Sequence, residues 1–148
     1  MIKSPLPESV ALLEKVHECL GPNRLPLLIA IDGADGVGKS SLASWLAWQL
    51  GAPAVYLDLY VIRESNPLRW RTDELRRIVN RRLVDHAAPL VVEGIMVLAA
   101  LDAIDRKPNF LIYLEGKGGN GLSRRLAAYR ARYQPEQHAD FRLQGFAE

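Results

Sequence analysis

Cysteine occurs once in the 148 residues, at Cys19, so no internal disulfide can form and a secreted disulfide scaffold is excluded. Long apolar runs are missing too: none approaches the roughly 20 residues that a helix needs to cross a bilayer. The opening MIKSPLPESVALLEKVHECLG is broken by two prolines and carries Glu8, Glu14 and Glu18, which no signal-peptide core tolerates. Histidine is scarce, and His17, His86 and His138 show no metal-ligand spacing. Repeats, linkers and biased tracts are absent. These gaps lead to the expectation of a cytoplasmic protein without a membrane partner.

What is present is an ordinary globular composition, 49% hydrophobic and 24% charged, in a chain of single-domain size. Net charge is only +2, but arginine is unevenly spread. Six fall between Arg69 and Arg82, and four between Arg124 and Arg132. Acids and apolar residues interrupt both clusters and no recognition motif accompanies them. They read as helix faces in solvent, and nucleic acid is not the expected partner.

Periodicity predicts a helix over Glu8–Leu20, with Leu12, Leu13, Val16 and Leu20 on one face. A buried strand follows at about Leu27–Ile31. The next helix carries Leu42, Trp45, Leu46, Gln49 and Leu50 and stops at Gly51, its tryptophans expected in the core or lining a groove. AVYLDLY (Ala54–Tyr60) reads as a second strand. Thr72 resembles an N-cap, followed by an apolar face of Leu75, Ile78, Val79 and Leu83. Pro89–Glu93 is a third strand, MVLAALDAID a helix, Asn109–Glu115 a fourth strand and Leu122–Tyr133 an arginine-rich helix. HADFRLQGF supplies a short fifth strand. Strands separated by helices, and apolar without alternation, imply a mostly parallel α/β sheet with helices on both faces.

The octet Gly33-Ala34-Asp35-Gly36-Val37-Gly38-Lys39-Ser40 matches G-x-x-x-x-G-K-[ST] in full, between a strand and a helix as the motif requires. Glycines at 33, 36 and 38 allow positive φ, so successive amides turn inward around a phosphate, and the helix N-terminus adds a favourable dipole. Residues 33–41, through Ser41, are the expected nucleotide cradle. Lys39 can reach the β- and γ-phosphates, and the Ser40 hydroxyl can ligate Mg²⁺.

The loop alone does not choose a chemistry. The N-K-x-D string of a guanine-specific switch is absent, as is an L-S-G-G-Q-like transport signature, and the chain is expected to be too small for a helicase core. A phosphotransferase needs carboxylates, arginines and an acceptor pocket. Asp58 and Glu93 are expected at strand ends on the same sheet edge as Ser40, with Asp32 and Asp35 in or beside the loop. Asp58 could act as general base or as a metal ligand, and Glu93 could support Mg²⁺. Arg130 and Arg132 sit near the end of a helix that the glycine-rich EGKGGNG could let swing over the phosphates. For the acceptor, RESNPLRWRTDE offers Arg63, Arg69, Trp70 and Arg71, whose guanidinium forks suit an anionic group.

The order of the loop, YLDLY, VVEGIMVL and RRLAAYRARYQPEQHADF resembles the uridine kinase-like group of P-loop kinases over residues 27 to 142. Asp58 and Tyr60 match its aromatic Asp segment, Glu93-Gly94-Ile95 its E-G turn, Arg132-Tyr133-Gln134-Pro135 its R-Y-x-P segment, and Ala139-Asp140 its A-D. The resemblance implies one P-loop domain: an N-terminal helix (1–24), a nucleotide-binding core (27–115), a lid (116–135), and a last strand with its tail (136–148). It implies ATP and Mg²⁺ as cofactors and phosphoryl transfer to a hydroxyl of a nucleoside, sugar or related metabolite. Lys39 and Ser40 would hold phosphate and metal, Asp58 would be the base and Glu93 would assist the metal. Arg130 and Arg132 would work in the lid, and the A-D segment would lie near adenine. Asp58, Tyr60, Arg63 and Arg69 are the expected acceptor contacts. A small-molecule hydroxyl compound is the expected partner, with room left for a homodimer. Departures are also visible: about thirty residues separate Tyr60 from Val91, without the usual acceptor insertion. A non-catalytic or regulatory nucleotide-binding protein is therefore the competing expectation.

Overall fold

The computed structural model describes residues 6–116 and 123–145. Five strands form one sheet: β1 (Leu28–Gly33), β2 (Ala54–Tyr56), β3 (Leu90–Glu93), β4 (Phe110–Glu115) and β5 (Phe141–Gln144). Their order is β2-β3-β1-β4-β5, and every pairing is parallel. The helices are α1 (Ser9–Leu20), α2 (Lys39–Leu50), α3 (Thr72–Asn80), α4 (Val97–Asp102), α5 (Ser123–Tyr133) and the short α6 (Pro135–His138).

Successive residues of a strand face opposite sides of a sheet, and here that alternation creates two cores. Ile29, Ile31, Val91, Phe110 and Ile112 point to one side, where α1 and α2 cover them with Leu12, Val16, Leu42 and Leu46. Leu28, Ala30, Leu90, Val92 and Leu111 point to the other, against Leu75 and Val79 of α3, Val97 and Leu101 of α4, and Tyr129 of α5. Both faces are buried, which is why the strands read as continuous apolar runs.

Several local expectations change. β2 stops at Tyr56, and a 3₁₀ turn (Leu57–Tyr60) carries Asp58, so this acid follows the strand rather than ending it. Thr72 is the first residue of α3, whose preceding Arg71 makes no side-chain cap. Ile78 is 46% exposed, off the buried face, and α3 loosens into a π turn at Arg81–Asp85. Trp45 is buried as expected, but Trp48 is 64% exposed and belongs to neither core. The glycine-rich residues 117–121, expected to hinge the lid, lie outside the described residues.

Candidate active site

The strand order reverses around β1, and a crevice opens there beyond the strands' carboxyl ends. The loop from β1 to α2 lies in it. Gly33, Gly36 and Gly38 all have positive φ (151°, 78° and 103°), the backbone that the motif predicts. Val37 anchors the loop from below with a buried side chain. A Cβ on Gly116 would come within 2.7 Å of that side chain, and one on Gly145 within 2.6 Å of the Val37 carbonyl.

Strand alternation decides which acids meet the loop. Glu93 projects on the same side as Val91, toward α2, and the first turn of α2 holds Ser40. The Ser40 hydroxyl donates to Glu93 Oε1 at 3.1 Å. Lys39 is buried, and its ammonium donates to the Ala34 carbonyl at 2.6 Å. Burial lowers the Lys39 pKa, opposed by the charges of Glu93, Asp32, Asp35 and Asp58. Burial likewise raises that of Glu93, opposed by the Ser40 hydrogen bond and the Lys39 charge. A cavity of about 350 Å³ connects these groups, lined by Lys39, Ser40, Ser41, Asp58 and Glu93 with the loop glycines 36 and 38.

Among the described residues no cluster of three His, Cys, Asp or Glu could hold a metal by itself. The donors near Ser40 are all oxygen: its hydroxyl and the carboxylates of Glu93 and Asp58. That set fits Mg²⁺, which takes one or two protein ligands and completes its shell with phosphates and water.

Asp32 lies on the opposite face, two residues beyond Ala30, and is only 1% exposed. Its carboxylate accepts from Gly33 N at 2.8 Å and from the Tyr129 hydroxyl at 2.5 Å. Tyr129 in turn accepts from Leu98 N at 3.1 Å. Burial outweighs these contacts and raises the Asp32 pKa to about 6. The arrangement pins α5 to the base of the loop and to the start of α4.

A second cavity, of about 770 Å³, opens beside the first. Ile95 lines the phosphate cavity, and the next residue, Met96, lines the larger one. Arg69 and Trp70 form one wall, and Arg125, Tyr129 and Arg132 form another at helical spacing along α5. Tyr133 completes this wall, its ring 5.1 Å from that of Tyr129 and its hydroxyl 3.0 Å from Asp102.

Solved structures share this architecture. A possible uridine kinase from Bacillus stearothermophilus matches with a TM-score of 0.63 and 16% sequence identity, over 93% of this chain and 97% of that one. A protein described as a fructose transport system kinase from a Silicibacter species matches with a TM-score of 0.55 and 16% identity, over 89% of this chain and 84% of its own. The chain shares its fold with both of these structures. No protein-family model and no curated protein matches the sequence.

Within this fold the anticipated residues divide. Residues 33–41, Asp58 and Glu93 are gathered at the loop, as their order implies. Arg132 lines the larger cavity rather than the phosphate cavity. Arg130, on the far flank of α5, pairs with Glu136 instead. Arg69 faces the larger cavity, whereas Arg63 is exposed outside its lining and Tyr60 packs under Arg71, 5.9 Å from its guanidinium. Asp140 stands at the amino end of β5, accepting from Leu111 N at 2.8 Å. It is thus at the end of the strands remote from the phosphate loop. Arg125 and Tyr129 carry no motif of their own in the sequence, although their i, i+4, i+7 relation with Arg132 marks one helix face.

Proposed function

We propose that the chain is an ATP-dependent phosphotransferase that moves the γ-phosphoryl group to a hydroxyl of a small molecule. One observation carries this reading: Lys39, the Ser40–Glu93 pair and Asp58 converge on one cavity at the sheet's switch point. Likeness in fold to a possible uridine kinase and to the fructose transport system kinase supports it, and directs attention to nucleosides, sugars and related metabolites.

The loop amides and Lys39 hold the phosphates, with the lysine exchanging its Ala34 contact for phosphate oxygen. Ser40, with Glu93 behind it and Asp58 in the same cavity, would hold Mg²⁺, which when bound would supply charge neutralisation to the phosphates. Asp58 receives the acceptor's hydroxyl proton as the new O–P bond forms. The bond from the γ-phosphorus to the β-phosphate oxygen breaks, and ADP leaves. Arg130 reaches the transferring group only if its pair with Glu136 opens.

The test is acceptor-dependent ADP formation from ATP and Mg²⁺ with pooled hydroxyl compounds, with Lys39→Ala and Asp58→Asn as controls. Turnover above both variants supports transfer. Tight ATP binding with no acceptor-dependent turnover favours a regulatory nucleotide-binding protein instead.

A further inference from the structure

We infer that the 770 Å³ cavity beside the phosphate loop is built for an anionic hydroxyl compound, one carrying a phosphate or a carboxylate, rather than for a neutral acceptor. As an acceptor site it rests on the phosphotransferase reading; as an anion site it stands on its own geometry.

Three arginines, Arg69, Arg125 and Arg132, line this single cavity. Among the described residues none of them has an acid within ion-pair distance, whereas Arg71, Arg76, Arg81, Arg130 and Arg142 all do. The one carboxylate in the lining, Asp102, already accepts the Tyr133 hydroxyl. Arg132 rests against the Tyr133 ring, 5.2 Å from its centroid, which orients the cation without neutralising it. Three cations against one carboxylate leave the cleft with an excess of positive charge, which draws in the opposite charge. Guanidinium forks match phosphate and carboxylate oxygens two at a time.

The remaining wall suits a small organic body. Trp70 and Tyr129 present buried aromatic surface, and the volume falls within the usual range of roughly 300–1,000 Å³ for small-molecule sites. The position also serves transfer. The turn bearing Asp58 runs directly into residues 61–70, closed by the Val61–Trp70 bridge, so one short segment carries the proposed base and Arg69 together.

Binding, not turnover, tests this most cleanly. Ribose 5-phosphate, glycerol 3-phosphate and glycerate are titrated calorimetrically against their neutral partners ribose, glycerol and glyceramide. Titrations use the protein with ADP and Mg²⁺ in excess, and the Lys39→Ala variant, so that the phosphate loop is not the anion site being read. The expected result is that at least one anion binds and its neutral partner does not. Arg69→Gln, Arg125→Gln or Arg132→Gln should each weaken that anion about tenfold or more, and Arg81→Gln, at a residue paired with Asp85 and outside this cavity's lining, should not. Phosphate against carboxylate preference identifies which anion the site takes. No anion bound above its neutral partner, or binding indifferent to all three arginines, overturns the inference. The two readings fail separately. Arginine-dependent anion binding without phosphoryl transfer removes the kinase reading alone, and transfer to neutral acceptors only removes this one alone.

Discussion

Asp32 and Tyr129 stand 97 residues apart in the chain and 2.5 Å apart in space. Their hydrogen bond is buried, so Tyr129→Phe should strip both Asp32 and Leu98 N of a partner and cost about 1–3 kcal/mol. Thermal unfolding should then fall by several degrees, at roughly 2–4 °C per kcal/mol for a chain of this size. The raised Asp32 pKa also sets a pH dependence. Between the ordinary value of 3.8 and the folded value of about 6, the folded state holds the proton more tightly than the unfolded chain. The resulting stability is full below 3.8 and is lost as pH rises through 6. Glu93, shifted in the same direction, adds to the same slope. Melting temperature measured from pH 4 to 7 should therefore decline less steeply in Asp32→Asn than in the wild type; equal slopes would refute the assignment. At the loop, Lys39→Ala should lower any transfer rate by about 10²-fold or more, read as initial velocity at saturating ATP. The loop residues were legible because their chemistry is contiguous in sequence. Tyr129 was not, because its partner is fixed by which sheet face Asp32 occupies and which helix covers it.

At the level of elements, alternation along the strands separates the two acids: Glu93 turns toward α2 and Ser40, Asp32 toward α5. The number of strands and their places along the chain could be read from their apolar runs, since parallel strands buried on both faces have no polar side, whereas their order in the sheet could not. The end of β2 could not. Leu57–Tyr60 is as apolar as a strand, yet it turns into a 3₁₀ coil where Gly94 passes closely. A Cβ on Gly94 would lie 2.7 Å from Leu57 Cβ, so Gly94→Ala should push this turn aside. An overpacking cost of about 1–3 kcal/mol is expected, seen as a lower melting temperature, with transfer slowed because the displaced turn carries Asp58. Retained stability together with full activity would show that the turn tolerates the shift. For α5, its arginine content was plain but its orientation was not. Tyr129 and Tyr133 take the inward face, and this sends Arg125 and Arg132 to one flank and Arg130 to the other.

Across the whole molecule, the crevice beyond β1 and β3 holds two compartments separated by the Glu93–Met96 turn. One is small, rich in backbone amides and carboxylates; the other is larger, aromatic and cationic. A donor that binds through a triphosphate and an acceptor that binds through its own charge would meet at Asp58. Attraction into the larger compartment should weaken as added salt shortens the screening length to about 8 Å at physiological strength. The most direct test of this account follows the phosphoryl group itself by phosphorus NMR, with ATP, Mg²⁺ and the pooled hydroxyl compounds. A new phosphoester signal is expected with wild-type protein, formed about 10²–10⁴-fold more slowly by Asp58→Asn while ATP binding is retained. ATP bound without any phosphoester, or Asp58→Asn matching the wild-type rate, would contradict it.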